Sequence, residues 1–209
     1  AFGGIVAFNK KVNVKTAKKL IENFYEVVAA PDFEKDALNI LKNKKNLRVL
    51  KVKKFKKRKE LRSIFAGELI QDVNNKKSTI KEIFGFNKLK KDKIDFFTNV
   101  LKFIKSNAIV LFNQTSLVSQ SGGQTSRVDS LRNCLYKLKT KQKDKKMGQL
   151  FLFSDAFFPF TDSLELIKNE NLKIDVYAPM GSKNDSQIEK FVKDNKLNFF
   201  KISDRHFKH

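Results

Sequence analysis

Short runs of β-branched and aromatic residues alternate with amphipathic segments along most of the chain. Such runs predict strands, and apolar residues that recur every three or four positions predict helices. The predicted strands are residues 3–9, 25–31, 47–52, 107–112, 115–119, 149–153, 173–179 and 197–203, and the predicted helices are residues 14–24, 32–43, 92–105, 124–141, 162–169 and 185–194. This alternation indicates an α/β fold, with helices packed on a largely buried sheet.

Two helix starts carry a candidate cap, and two segments break the pattern. Asp32 is placed to cap the helix that follows it, and Asp162, with Glu165 three positions on, has the spacing of a capping box. Residues 53–87 are less regular. Residues 138–148 are charged and almost free of apolar side chains, so we predict a subdomain boundary there.

Composition indicates a soluble protein. The charged fraction of 32% and the mean hydropathy of -0.44 exclude a membrane protein, and no apolar run reaches the length of a spanning helix, roughly 20 residues. The first residues have neither the basic leader nor the cleavage site of a signal peptide. The single cysteine, Cys134, cannot form an internal disulfide, which fits a reducing compartment and predicts the cytoplasm.

The chain is strongly basic, with 44 Lys and Arg against 22 Asp and Glu and a formal net charge of +22. Such a balance can indicate a protein that neutralises nucleic-acid phosphates. However, the lysines lie along most of the chain, and their densest run, residues 51–62, contains only Phe55 as a base-stacking side chain. A solvated basic surface is therefore favoured, and nucleic acid is the disfavoured partner. A basic nucleic-acid-binding α/β module stays the alternative function.

Several catalytic classes are excluded by missing residues. Both histidines, His206 and His209, lie in the last four positions, and one cysteine cannot build a zinc quartet or an upstream Cys-His pair. Neither H-x-E nor P-C-x-x-C occurs, which excludes a zinc deaminase. No Walker A motif and no Rossmann glycine fingerprint is present.

Polar stretches at the ends of predicted elements are the candidate binding loops, since ligands of α/β proteins usually bind at strand ends. They are KSNAIV (105–110), SQSGGQTSRVDS (119–130), SDAFFPFTDS (154–163) and RHFKH (205–209). The second stretch is a strand, a glycine turn and a helix start, whose N–H groups and dipole suit an anionic or carbonyl oxygen. Taken singly, Asn107 is also explained as a turn residue, Ser126 as a helix cap and Arg127 as a solvated charge.

Taken together, these stretches resemble one family. With AFGGIVAFN (1–9) and EVVAAPDFEKDALNIL (26–41), they occur in the order and approximate spacing of the AICAR formyltransferase/IMP cyclohydrolase family. The resemblance covers essentially the whole chain and corresponds to the C-terminal part of the transformylase domain. It implies formyl transfer from 10-formyltetrahydrofolate to AICAR in de novo purine (IMP) biosynthesis. It also implies a homodimer that shares its active site, and paired cytidine-deaminase-like subdomains without the deaminase zinc.

The resemblance also implies residue roles. Formyl transfer passes through an oxyanion, and Asn107 would be the catalytic amide that positions the formyl group. The AICAR-binding residues would be Glu26, Ser126, Arg127, Phe157, Arg205 and His209, with Phe157 stacked on the imidazole. The folate-binding residues would be Phe2, Gly3, Pro159, Phe160 and Asp162, with Phe158 as the alternative to Phe160 and Asp162 on the pterin N–H groups. A monovalent cation, K⁺ in this family, would lie near Ser106 and Asp155.

One motif of the family is missing. The family carries a Lys-His pair in a K-H-x-N-P-type motif, whose histidine acts on the AICAR amine, and no such motif occurs here. The cyclohydrolase domain and the start of the transformylase domain are also missing. We therefore expect the chain to be an incomplete part of the bifunctional enzyme and to be inactive alone.

Overall fold

The structure is a computed structural model that describes residues 3–53, 59–87, 89–141 and 148–209. These residues form a mixed α/β structure, as the sequence predicts, with three sheets and six helices. The chain divides into two compact units, Ala1–Val73 (unit 1) and Asn74–His209 (unit 2). The predicted boundary at residues 138–148 lies partly outside the described residues and stays a prediction.

Unit 1 contains a parallel three-stranded sheet and a separate hairpin. Its elements are β1 (Gly4–Ala7), α1 (Val14–Ile21), β2 (Tyr25–Ala30), α2 (Lys35–Lys42), β3 (Arg48–Lys51), β4 (Lys59–Ile64) and β5 (Gly67–Asp72). The sheet has the order β1-β2-β3, and α1 and α2 make the crossovers that parallel strands require. Among the described residues, strands β4 and β5 pair only with each other. Buried side chains of the sheet and of both helices form the core, including Val28, Ala17, Leu20 and Leu41.

The predicted cap Asp32 is wrong, because this carboxylate is used elsewhere. Its side chain pairs with Lys51 at 2.8 Å and Lys11 at 3.5 Å, and the hydrogen bond to Lys51 lowers its pKa. Helix α2 begins only at Lys35, after Glu34 in the cap position. The Glu34 side chain accepts instead from the backbone N–H of Val14, at the start of α1.

Unit 2 is built on a six-stranded sheet of order β6-β11-β10-β9-β7-β8. Its strands are β6 (Ile80–Phe84), β7 (Ile109–Phe112), β8 (Leu117–Ser121), β9 (Leu150–Ser154), β10 (Ile174–Ala178) and β11 (Phe199–Ile202). Its helices are α3 (Lys91–Leu101), α4 (Arg127–Lys141), α5 (Asp162–Asn169) and α6 (Asp185–Asp194). The adjacent strands β9, β10 and β11 are parallel, whereas β6 and β7 flank them antiparallel.

Both faces of this sheet are covered by helices. Leu150 and Leu152 of β9 face the core that contains side chains of α4, α5 and α6, and the alternate residues Phe151 and Phe153 face the core that contains α3. Because both faces are buried, β9 and β10 are buried at every position. The α3 face is largely aromatic: Phe97 stacks on Phe112 at 3.9 Å between centroids, and Phe153 on Tyr177 at 4.5 Å.

The predicted element order is confirmed outside residues 53–87. Helices α5 and α6 have the predicted bounds, and the other predicted elements end within a few residues of the observed ones. Residues 53–87, predicted as irregular, contain β4, β5 and β6. Across the described ranges, none of the helices is long and apolar enough to cross a bilayer.

Candidate functional site

The candidate loops of unit 2 meet at one edge of its sheet. Strands β8, β9, β10 and β11 run in one direction, and β6 and β7 run in the other. The carboxyl ends of the first four strands therefore lie beside the start of β7. This edge, which we call the polar edge, consists of residues 105–108, 122–127, 155–161, 179–184 and 203–209.

Arg127, the first residue of α4, is buried at the polar edge, and its side chain is only 9% exposed. Its Nε donates to Ser154 Oγ at 3.0 Å, its Nη1 to the Phe157 carbonyl at 3.2 Å and its Nη2 to Asp155 Oδ1 at 2.6 Å. Arg127 is therefore not the solvated charge of the simpler interpretation. These three bonds leave two of its five N–H donors for another partner.

Asp155 joins several loops of the polar edge. The residue is fully buried, and while Oδ1 accepts from Arg127, Oδ2 accepts from Ser106 Oγ at 2.5 Å. Its backbone carbonyl also accepts from the N–H of His206 at 2.8 Å. Arg127 balances the charge of Asp155 and each carboxylate oxygen accepts one hydrogen bond, while the predicted monovalent cation near Ser106 and Asp155 stays a prediction.

Asn107 lies against the loop that follows β8. Its Nδ2 donates to the carbonyls of Gln124 at 3.0 Å and Thr125 at 3.2 Å, whereas within the described residues its Oδ1 accepts no hydrogen bond. A flipped amide would point Oδ1 at two carbonyl oxygens, so these contacts determine the orientation. The predicted role as a donor to the formyl oxygen would require this side chain to rotate.

Gly122 allows the loop after β8 to pack directly against residues 104 and 105, which precede β7. A Cβ at this position would lie 2.6 Å from the Lys105 carbonyl oxygen and 2.3 Å from Ile104 Cγ2. The next N–H, that of Gly123, donates to the same carbonyl at 2.8 Å. A glycine is therefore required where the β8 loop crosses the start of the β7 segment.

Ser126 caps α4. Its Oγ accepts from the backbone N–H of Asp129 at 3.1 Å and donates to Asp129 Oδ2 at 2.6 Å. This is the helix-cap interpretation that the sequence left open, and it uses the hydroxyl that the AICAR-binding role would need.

The stretch SDAFFPFTDS is partly core and partly exposed surface. Phe158 is 2% exposed and packs on Phe199, so it cannot line a folate site as the alternative to Phe160. Phe160 is 61% exposed. Phe157 is half-buried, and Arg205 Cζ lies 4.6 Å from its ring centroid. The carbonyl of Pro159, also half-buried, accepts from Asn184 at 2.8 Å.

Asp162 is the first residue of α5 and not its cap. Thr161 takes the cap position, and its hydroxyl donates to Glu165 at 2.8 Å. The predicted capping box is therefore wrong, because the cap lies one residue earlier and Leu164, not Glu165, is three positions after it. Asp162 Oδ1 accepts from the N–H of Ser163 at 2.6 Å, and Oδ2 has no hydrogen bond within the described part of the chain.

The end of the chain brings two predicted site residues, Arg205 and His209, and the buried His206 to the polar edge. Arg205 is exposed and donates from Nη2 to the Gly181 carbonyl at 3.3 Å, and His209 is exposed beside Phe207. His206, for which the sequence predicts no role in a site, is fully buried. Nothing in the RHFKH string distinguishes it from His209.

His206 is held in its neutral form. Its Nδ1 lies 3.1 Å from Asn74 Nδ2, which can only donate, so Nε2 carries the proton and donates to Ser78 Oγ at 2.9 Å. Burial, followed by the charge of Lys102, lowers the pKa of His206 to about 4. His206 is therefore an uncharged structural group at neutral pH.

In unit 1, two of the predicted site residues lie side by side. Gly3 has a φ of 71°, and a Cβ on it would lie 2.6 Å from Glu26 Oε1. Glu26 is exposed on β2. The third predicted residue of this unit, Phe2, lies outside the described residues.

Metal-ligand clusters are absent from the described ranges, where no three His, Cys, Asp or Glu side chains group in a way that could hold a metal ion.

Unit 1 has a cavity of about 340 Å³ between the ends of its helices and the starts of β2 and β3. No predicted site residue lines it.

Comparison with known proteins agrees with the resemblance seen in the sequence. The family described as AICARFT/IMPCHase bienzyme matches residues 1–137. The bifunctional purine biosynthesis protein PurH of Fusobacterium nucleatum is 40% identical over 213 residues, which cover 100% of this chain and 41% of that protein. PurH of Persephonella marina is 39% identical over 224 residues, and PurH of Clostridium botulinum strain 657 is 38% identical over 213 residues. Each of these matches also covers 100% of this chain and 41% of the relative. The chain thus spans about two fifths of the length of these relatives, and it belongs to the AICARFT/IMPCHase bienzyme family.

Proposed function

We propose that this chain supplies much of a formyltransferase site, which transfers the formyl group of 10-formyltetrahydrofolate to AICAR and gives FAICAR in de novo IMP biosynthesis. The observation that carries the proposal is the polar edge, where Asn107, Phe157 and Arg205 on loops meet Arg127 at the start of α4. Hydrogen bonds join Asn107 to Thr125 and Arg127 to Phe157, and the Arg205 guanidinium lies over the Phe157 ring. Membership of the bienzyme family supports the same reaction. The whole protein would also act as an IMP cyclohydrolase, outside this chain.

The AICAR subsite is assigned to Phe157, Arg127 and Arg205. The half-buried ring of Phe157 offers a flat apolar face for the imidazole. In the present structure the Arg205 guanidinium lies over that ring, so AICAR would displace it or stack on the opposite face. The two remaining N–H donors of Arg127 suit the carboxamide oxygen.

Three further AICAR contacts rest on the family resemblance. Glu26 is exposed and would accept from a ribose hydroxyl, and His209 is exposed at the polar edge. Ser126 would have to bind AICAR while its hydroxyl caps α4, which makes it the weakest of the assigned contacts.

The folate subsite is assigned to Phe160, Pro159 and Asp162. Phe160 is exposed, and Asp162 Oδ2 is available to accept N–H groups of the pterin. A carboxylate fits the paired donors of a pterin edge because it has about four lone-pair sites. Gly3 and Phe2 are assigned to the folate side by family resemblance alone.

Asn107 is assigned to the reacting centre. Since both of its amide hydrogens bind carbonyls, Oδ1 is the atom open to substrate, and it can accept from the attacking amine of AICAR. Rotation of the amide would instead direct an N–H at the formyl oxygen, where negative charge develops. Both roles act during transfer, so both predict an effect on turnover.

Two further assignments rest on the family, and a third rests on composition. We propose a homodimer, paired cytidine-deaminase-like subdomains and the cytoplasm as the compartment. The cytoplasmic assignment relies on the single cysteine, which is buried.

The reaction is tested in a chimera that replaces the matching stretch of the F. nucleatum relative with this chain. The chimera is expected to transfer the formyl group. Asn107→Ala should lower kcat by about 10²-fold, while Asp162→Ala should raise the folate KM with little change in kcat, because the pterin edge does not change during transfer. Asp194→Ala, an exposed carboxylate at the end of α6, is the matched control. An unchanged kcat in Asn107→Ala would contradict the assignment.

Binding is tested on the chain itself by calorimetry with AICAR. Phe157→Leu should weaken binding, because the flat face is lost, whereas Phe86→Leu, at a site 75% exposed, should not. Equal affinities of the two variants would remove Phe157 from the site.

A further inference from the structure

The loop between β10 and α6 contacts a residue of each proposed subsite. This loop, residues 179–184, which we call the β10 loop, is part of the polar edge. The carbonyl of Gly181 accepts from Arg205 Nη2 at 3.3 Å. A few residues on, Asn184 Nδ2 donates to the Pro159 carbonyl at 2.8 Å. Because Arg205 is assigned to AICAR and Pro159 to folate, the β10 loop joins the two sides of the site.

Asn184 does not have the usual role of an asparagine at the start of a helix. It occupies the cap position of α6, where an asparagine oxygen normally accepts from a free N–H of the first turn. Within the described residues, its side chain makes no such hydrogen bond. Its amide donates instead to the loop after β9, 25 positions earlier in the chain. The side chain therefore holds another loop and does not stabilise its own helix.

This contact lies where the folate loop leaves the core. Phe158, just before Pro159, is 2% exposed, whereas Phe160, just after it, is 61% exposed. Since a proline has no N–H, its carbonyl is the backbone group through which a hydrogen bond can hold it. Fixing this carbonyl fixes the peptide plane that leads to Phe160, and Asp162 follows two residues later. The Asn184 amide therefore sets the direction of the residues assigned to folate.

Asp185, the first residue of α6, holds the β10 loop in shape. Its Oδ2 accepts from the N–H of Gly181 at 2.7 Å, and its Oδ1 accepts from both the N–H and the hydroxyl of Ser182 at 2.9 Å. The Ser182 hydroxyl oxygen in turn accepts from the N–H of Asn184 at 3.0 Å. One carboxylate thus fixes both residues through which the loop reaches the subsites.

Gly181 allows Arg205 to approach the β10 loop. Its φ is 119°, which favours glycine, and a Cβ on it would lie 2.9 Å from Arg205 Nη2. The same guanidinium lies over Phe157, with Cζ 4.6 Å from the ring centroid. The position of the Gly181 carbonyl therefore limits where Arg205 can lie beside Phe157.

We propose that Asn184 and Asp185 are positioning residues for formyl transfer. Asp185 fixes the β10 loop, and Asn184 uses that loop to direct the folate residues through the Pro159 carbonyl. The Gly181 carbonyl of the same loop places Arg205 on the AICAR side. This inference rests on the proposed function, and both residues act on the substrates through other side chains.

Steady-state kinetics of the chimera with the F. nucleatum relative test the proposal. Asn184→Ala should raise the folate KM about two- to tenfold, the effect of one hydrogen bond, with little change in kcat or in the AICAR KM. Asn195→Ala is the matched control, because it removes a hydrogen bond of the same length, from Nδ2 to the Phe191 carbonyl, at the other end of α6. Asp185→Asn, which replaces one acceptor oxygen by a donor, should raise both KM values.

Asn184→Asp separates positioning from helix stability. Aspartate has the same size and keeps an oxygen that can cap α6, but at neutral pH it cannot donate to the Pro159 carbonyl. We expect the folate KM to rise as it does for Asn184→Ala. A parent-like folate KM in Asn184→Asp, or an unchanged AICAR KM in Asp185→Asn, would overturn the proposal. A parent chimera without formyl transfer would overturn the proposed function, and this inference with it.

Hydrogen exchange distinguishes positioning from direct contact with folate. In the chimera without substrates, Asn184→Asp should accelerate amide exchange in residues 157–162, whereas Asn195→Ala should leave it unchanged. A raised folate KM with parent-like exchange in this segment would mean that Asn184 contacts folate itself, which would overturn the positioning role.

Discussion

At the scale of single residues, the Arg127–Asp155 ion pair holds the polar edge together. Removing one partner of a buried pair leaves an uncompensated charge, which typically costs about 3–5 kcal/mol, whereas an exposed pair contributes about 0–1 kcal/mol. We expect Asp155→Asn to lower the free energy of unfolding, measured in urea, by about 3–5 kcal/mol. Glu22→Gln, which breaks the exposed Lys19–Glu22 pair, is the control and should change it little.

The same substitution has a second expected effect, on binding. Asp155 orients the guanidinium that is assigned to AICAR, so Asp155→Asn should weaken AICAR binding at temperatures where the variant remains folded. Full affinity in a folded variant would show that Arg127 does not need this carboxylate.

His206 makes stability depend on pH. Its folded-state pKa is about 4 and its ordinary pKa is 6.5, so the unfolded chain binds more protons between these values. Stability should therefore be complete above pH 6.5 and fall as the pH drops toward 4, by up to about 3 kcal/mol from this group. Urea unfolding across this range should show a shallower decline for His206→Gln than for the parent, while exposed His209→Gln should follow the parent. Parallel curves for His206→Gln and the parent would contradict the buried neutral assignment.

Single residues also show where sequence reasoning reaches its limit. The three phenylalanines of SDAFFPFTDS are equivalent in sequence, yet Phe158 is core, Phe157 contacts Arg205 and Phe160 is exposed. Only the direction of the chain after β9 separates them. For the same reason Asp162 has the right spacing for a cap but lies one residue inside the helix.

At the scale of elements, α4 depends on its first turn. Ser126 satisfies a free N–H of that turn, and its replacement by Ala should lower the free energy of unfolding by about 1 kcal/mol. Ser126→Asp, which retains a capping oxygen, should preserve stability. Calorimetric melting of both variants checks this, and equal melting of Ser126→Ala and the parent would mean that the cap contributes nothing.

The sequence predicted the elements well where both faces of a strand are buried. The runs at β9 and β10 are apolar at nearly every position, and the helices between them have clear periodicity, so type and order follow from the sequence. The hairpin β4–β5 was not predicted, because its side chains form no buried face and its strands lack the usual alternation.

At the scale of the whole molecule, the net charge of +22 predicts only weak, non-specific binding to nucleic acid. Lysines dispersed over a solvated surface release few counterions at any one contact, so binding to random duplex DNA should disappear between about 50 and 200 mM salt. Fluorescence anisotropy at the two salt concentrations measures this. Tight binding that persists at the higher concentration would favour the alternative of a nucleic-acid-binding module.

The sequence by itself determined the family, the α/β class and the candidate binding loops, because these depend on local strings, periodicity and order. The tertiary structure decided which atoms of those loops remain open. Hydrogen bonds between distant positions occupy both amide hydrogens of Asn107 and three donors of Arg127. Such partners arise only when the strand ends are brought to one edge of the sheet, and no spacing along the chain contains that information.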